Sequence, residues 1–184
     1  MYLERPMLKR FTALLIVVTA LVLQSCVGAG VGLQSFTDTY DGYRFLYPTG
    51  WTEVKVAGSA DVVFHDIVNE TENISVVISD VPDGQSLKEL GTPTEVGYKL
   101  SKSINAIAGD RDVELANAIE IDRAGEPYYI LEYIADLPSG VRHNLASVVV
   151  RRDKLFTFNA STEEERWDKM ADLMKQAVAS FSVD

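Results

Sequence analysis

Among 184 residues the chain has two histidines, His65 and His143, and a single cysteine, Cys26. Imidazole nitrogen with carboxylate oxygen suits zinc, and carboxylates alone suit calcium or manganese. The candidate ligand pairs are His65 with Asp61 or Asp83, and His143 with Asp136; each needs the fold to bring it together. His65 and Asp66 are neighbours on one strand, so their side chains point to opposite faces and do not share an ion. The chain has 27 acidic residues, so close carboxylates arise by chance. We therefore expect at most weak zinc, manganese or calcium binding, and no required cofactor. Catalytic kits are missing. No cysteine nucleophile falls in the folded part, and no Gly-Xaa-Ser-Xaa-Gly, P-loop or dinucleotide fingerprint occurs. We expect no catalytic residue and no enzyme. Arg151-Arg152 is the one adjacent basic pair of an acidic folded part, and arginine suits interface ion pairs. The pair is the candidate partner contact.

The cysteine carries a sharper chemistry. Lys9 and Arg10 precede an apolar run, Phe11 to Leu23, and then Leu23-Gln24-Ser25-Cys26. A positive start, a short apolar core and small residues at a cut site make an export signal. The run is 13 residues, against roughly 20 for a comfortable membrane crossing. Leu at −3, a small residue at −1 and then Cys resembles a bacterial lipobox, with Gln24 the one departure. Cys26 would then carry a diacylglycerol and become the mature N-terminus. The expected organisation is residues 1–25 as leader, 26–35 as lipidated Cys and short tether, and 36–184 as one domain. Met1 to Pro6 has no signal character, which makes Met7 an alternative start. The leader holds Arg5, Lys9 and Arg10 against Glu4, so its removal takes the net charge from −10 to −12. Such a domain repels nucleic acid and anionic lipid headgroups. Membrane attachment must come from acyl chains, at roughly 0.8 kcal/mol per buried methylene, and two chains anchor stably where one does not.

Periodicity and turn residues place the candidates on elements. Tyr43–Tyr47 alternates large rings with smaller or charged groups between Asp41-Gly42 and Pro48, which predicts a strand. Asp61–Val68 and Ile74–Ser79 are rich in β-branched residues, and the polar turn between them predicts a hairpin. Ser86–Leu90 has room for one helical turn. A helix follows: Thr92 caps, Pro93 starts it, and Glu95 closes a capping box. Val96, Leu100, Ile104 and Ile107 form its apolar face, and Gly109 stops it. Asp112–Asp122 alternates, with Val113, Leu115, Asn117, Ile119 and Ile121 on one side. Strands at Tyr128–Leu137, Arg142–Arg152 and Leu155–Ala160, joined by tight turns, complete an antiparallel set. The chain closes with a helix from about Thr162. Thr162 and Glu165 read as a second capping box, and Trp167, Met170, Ala171, Met174, Val178 and Phe181 as its stripe. Trp51, Trp167 and the strand tyrosines are expected in the core. A strand-rich antiparallel sheet with one helix in mid-chain and one at the end is an α+β layered architecture.

Some of these fragments fit a family together. Gly42-Tyr43-Arg44-Phe45-Leu46-Tyr47-Pro48 is followed by Trp51, then Asn73-Ile74-Ser75-Val76. Phe156-Thr157-Phe158-Asn159-Ala160 follows, with Arg166-Trp167 and Ser180-Phe181. Order and spacing across Tyr40 to Val183 resemble the PsbP family, the extrinsic lumenal proteins of photosystem II. With the lipobox, the chain is similar to the cyanobacterial lipoprotein branch. The resemblance implies an α/β/α sandwich with a central antiparallel sheet of about six strands. It implies a lipid anchor on the lumenal side of the thylakoid membrane. It also implies association with photosystem II core or assembly intermediates, as an accessory or assembly factor. Plant members carry a longer N-terminal arm that helps hold calcium and chloride at the oxygen-evolving centre. A short tether stands there in this chain, which puts such cofactor retention in doubt. The residues alone leave a second reading open, a lumenal or periplasmic lipoprotein that binds divalent metal.

Overall fold

The central strand is Lys154–Glu163 (β9), which presents Phe156, Phe158 and Ala160 to one face and Leu155, Thr157, Asn159 and Ser161 to the other. The structure is a computed structural model that describes residues 32–56, 58–82, 84–107 and 112–184. Cys26, the leader, most of the expected tether and Asp83 lie outside the described residues.

Around β9 lie Thr52–Glu53 (β3), Ala60–His65 (β4), Asn73–Asp80 (β5), Asp112–Arg123 (β6), Glu126–Leu137 (β7) and Gly140–Arg151 (β8). They form one antiparallel sheet of seven strands, in the order β3-β4-β5-β9-β8-β7-β6. A second sheet of three strands, Leu33–Asp38 (β1), Tyr43–Pro48 (β2) and Ser182–Val183 (β10), runs β1-β2-β10. The helices are Leu87–Leu90 (α1), Pro93–Ile107 (α2) and Trp167–Ser180 (α3). α2 covers one face of the large sheet, while α3 and the small sheet cover the other. The α+β class and the sandwich stand. The central sheet has seven strands rather than about six, with a second sheet beside it.

Two cores result. On the α3 face rings dominate: Phe45 to Phe158 is 4.9 Å between centroids, Phe158 to Phe181 5.1 Å and Phe36 to Phe45 5.1 Å. Trp51 joins this core. On the α2 face Leu87, Val96, Leu131 and Val148 pack together. Tyr129 and Tyr133 donate their hydroxyls to the carbonyls of Gly91 and Gly97 at 2.8 and 3.1 Å. Gly97 lets α2 lie close to the sheet, since a Cβ there would sit 2.7 Å from a methyl of Leu115.

Caps follow the sequence at α2 but not at α3. Thr92 N–H donates to Glu95 Oε2 at 2.8 Å and Glu95 N–H to Thr92 Oγ1 at 3.3 Å. The expected helical turn near Ser86 is α1, with a capping box of its own between Ser86 and Glu89. Thr162 is not a cap. It belongs to β9, its side chain is buried, and a 3-10 turn Glu164–Arg166 separates it from α3. The tether also ends early, because Leu33–Ser35 already pairs with β2. β4 stops at His65 because the Asp66 carboxylate accepts the N–H groups of Val68 and Asn69, both at 2.7 Å, and turns the chain. The single-sided alternation expected over Asp112–Asp122 is broken by a bulge between Leu115 and Asn117. Beyond it Ala118 packs on the α2 side, Ile121 packs against the opposite core, and Ile119 is exposed.

One core position is polar without a partner. Ser147 of β8 is fully buried and its Oγ makes no hydrogen bond. A buried unpaired hydroxyl costs about 1–3 kcal/mol. Ser147→Ala should therefore raise stability by about 1 kcal/mol and the melting midpoint by about 2–4 °C, measured by thermal unfolding.

Candidate functional site

The densest polar construction lies where β9 gives way to α3. His143 sits on β8, only 5% exposed, opposite Thr162 of β9. Its Nδ1 is 2.8 Å from Glu164 Oε2 and its Nε2 is 2.7 Å from Glu132 Oε1. The ring stacks on Trp167, with centroids 3.5 Å apart and planes 5° apart. Beside it Glu72, 1% exposed, accepts from Thr162 Oγ1 at 3.0 Å and pairs with Arg166 Nε. That pairing holds the Arg166 guanidinium above its ordinary pKa, chiefly through the hydrogen bond to Glu72. Buried charges persist when they are paired and hydrogen-bonded. Here the pairing ties the β4–β5 loop to the β9–α3 turn. Both nitrogens of His143 are held, so the imidazole is clamped rather than offered to a substrate.

Of the sequence-derived metal pairs, His65 with Asp61 and His143 with Asp136 are not brought together, and Asp83 lies outside the described residues. Glu132 and Glu164 approach opposite ends of the His143 ring, so they do not converge on one ion. Asp136 is exposed and opposite Val141, and His143 turns to the two glutamates instead. His65 lies at one end of β4, opposite Thr52 and Asn73, and Asp61 lies near the other. Four residues along a strand separate them by about 13 Å. Asp61 accepts a hydrogen bond from the Tyr43 hydroxyl, which burial, together with that bond, pushes well above its ordinary pKa. The basic pair is also divided. Arg151 pairs with Glu126 at 2.9 Å. Arg152, in a turn with positive φ, donates to the Asp41 carbonyl and lies over Phe156. Both guanidiniums are engaged within the domain.

A grouping the sequence reading missed is Asp38, Asp41 and Asp61, whose carboxylate oxygens lie within 4.8 Å of one another. The three come from β1, the β1–β2 turn and β4, so no local spacing announces them. Asp41 is held above the ordinary carboxylate range, first by burial and then by the charges of Asp61 and Asp38. Glu72, Arg142 and Arg166 were missed likewise, because ordinary polar residues near turns give no signal until distant strands pair.

Asp66 has the opposite perturbation. The Asn69 N–H, above all, holds its carboxyl below the usual range, helped by Val68, Trp51 and the charge of Arg166. A depressed folded pKa stabilises the fold above the unfolded value, about 3.9, and the contribution disappears as pH falls through the folded value. Asp66→Ala should thus lower stability at pH 7, with the deficit shrinking steadily below about pH 4. Urea unfolding at several pH values measures this.

The family model for PsbP matches residues 31–183. The chain belongs to the PsbP family. It is similar to CyanoP of Synechocystis, at 45% identity over 187 residues, covering 96% of this chain and 100% of that protein. CyanoP of Thermosynechococcus vestitus is also 45% identical, with the same two coverages. PsbP-like protein 1 of Arabidopsis thaliana is 33% identical over 153 residues, spanning 83% of this chain and 65% of that protein. The solution structure of CyanoP from Synechocystis superposes with a TM-score of 0.73 at 47% identity, covering 87% of this chain and 98% of that one. The PsbP fold accounts for the layers seen here. The stack of His143 on Trp167 is one of the contacts between this chain's last long β-hairpin and its terminal helix, beside the packing of Met174, Ala177 and Val178 in the same core as Phe156 and Phe158.

Proposed function

We propose that this PsbP-family chain is a lipid-anchored accessory or assembly protein of photosystem II on the lumenal side of the thylakoid membrane. It acts by binding core subunits or assembly intermediates, not by catalysis. The observation that carries the reading is the end-to-end similarity to two CyanoP proteins. Coverage of 96% of this chain and 100% of each relative means that the similarity extends beyond the folded domain into the leader. In this reading the diacylglycerol on Cys26 supplies the membrane attachment; among the described residues no helix is long and apolar enough to cross a membrane. Tethering raises local concentration at the membrane and lets a modest surface complementarity suffice.

Mild cross-linking in native thylakoid membranes tests this. The expected result is capture of photosystem II core subunits; capture of none under several conditions removes the reading. For the metal-binding alternative, neither His65 nor His143 has carboxylates converging with it on one point among the described residues, and the carboxylates that do lie close together are those of Asp38, Asp41 and Asp61. Zinc titration by calorimetry should give no tight site. Sub-micromolar binding lost on changing His65 or His143 would restore that alternative.

A further inference from the structure

The two faces of the central sheet are finished differently. Toward α3, β5 and β9 present Ile74, Val76, Phe156 and Phe158 to a closed core. Toward α2 the same strands present Ser75, Thr157 and Asn159, and β8 adds Asn144. Because α2 packs over β6 and β7, it stops short of β5 and β9. A groove of about 440 Å³ remains, within the range of small-molecule sites. Its wall is apolar, built from Leu100 and Ile104 of α2 with Val113 and Leu137. Its floor is polar, in rows fixed by the registers: Ser75–Asn159–Ala146 and, next to it, Asn73–Ser161–Asn144. The side chains of Ser75, Asn144, Thr157 and Asn159 are half-buried and hydrogen-bond to no described residue.

Arg142 stands at one end of this groove. Its Nε and Nη2 donate to Ser161 Oγ at 3.0 and 2.9 Å, and Nη2 also to the Thr71 carbonyl. It forms no ion pair with a carboxylate among the described residues. Glu163, its register partner on β9, accepts from Thr71 Oγ1 instead. Burial pulls the guanidinium below its ordinary pKa, against the opposing charges of Glu163 and Glu72. A merely wetted sheet face would show polar residues too. It would not set a half-buried guanidinium that has no ion pair, and whose Nη1 has no partner among the described residues, beside free amides and an apolar wall. Arginine in such a setting favours a carboxylate, which here would accept from Nη1, the nitrogen not already donating to Ser161 or Thr71.

We propose that this groove binds a small amphipathic carboxylate, its apolar body on Leu100, Ile104 and Leu137 and its carboxylate on Arg142 and Asn144. The probe is 2-naphthoate, titrated into the purified full-length protein by calorimetry and by amide chemical shifts. Binding should be saturable and one-to-one, with Kd of about 1 mM or tighter. The neutral 2-naphthalenemethanol should bind roughly tenfold more weakly, a comparison that needs no variant. Arg142→Gln should weaken naphthoate by roughly tenfold, and Ile104→Glu, at an exposed wall position, by a similar factor. Shifts should centre on Asn144, Asn159 and Leu137. The proposal is overturned by lack of saturation below about 10 mM, by equal binding of the neutral analogue, or by shifts centred on another face.

Discussion

Replacing Cys26 by Ser, in a chain given an ordinary cleavable leader so that processing is independent of the thiol, moves the folded domain from the membrane pellet to the soluble fraction. The substitution exchanges one atom and lies ahead of Leu33, where the described domain begins, so it leaves the fold unchanged. Under the proposed lipidation, what it removes is the acceptor for two acyl chains, at roughly 0.8 kcal/mol per buried methylene. Little remains to hold the domain at a lipid surface. The mature chain carries a net charge of −12 once the leader's three cations and one anion are gone, and like charge repels anionic headgroups. Fractionation measures the shift, and the mass of the peptide starting at Cys26 reports the diacylglycerol directly. A serine variant still pelleted after a high-salt wash would show that the lipid is not the anchor. Pelleting reversed by salt would instead point to docking on a membrane protein.

The layers were legible because their signals are local. Val96 and Leu100 mark one side of α2, and the Thr92–Glu95 box marks its start. Gly125 and Pro138-Ser139-Gly140 mark the turns between long alternating strands. β1 was hidden because Leu33-Gln34-Ser35 has no alternation of its own and forms a strand only against β2. Thr162 read as a cap because Glu165 follows at the right spacing, yet it pairs with His143 on β8 and bonds to Glu72 from 90 residues away. Of the site, the sequence drew notice to His143 for its rarity but not to its partners. Glu132 and Glu164 reach it only once β7, β8 and the β9–α3 turn are assembled. The strand pattern of β9 did hold a further clue. Thr157, Asn159 and Ser161 on one side and Phe156, Phe158 and Ala160 on the other give one closed and one open face, and the open face is the groove that ends at Arg142.

Arg166→Met should destabilise the domain, lowering the melting midpoint by about 5 °C. Glu72 is 1% exposed and keeps only Thr162 Oγ1 as a donor once the guanidinium is gone. A carboxylate withdrawn from water with its cation removed costs more than the pair ever contributed. Glu72→Gln should be milder, because the amide is neutral and can still accept from Thr162 and Arg166. The double change Glu72→Leu with Arg166→Met should recover part of the loss, since two apolar side chains bury no charge. That ordering separates a charge effect from simple loss of packing, in which the double variant would be the worst of the three. Trp167 follows Arg166 directly and stacks on His143 at 3.5 Å. Loosening the turn should therefore disturb that stack and shift tryptophan fluorescence below the melting temperature. An Arg166→Met protein that melts with the wild type and keeps its fluorescence would mean that this half-buried pair does not hold the β9–α3 junction.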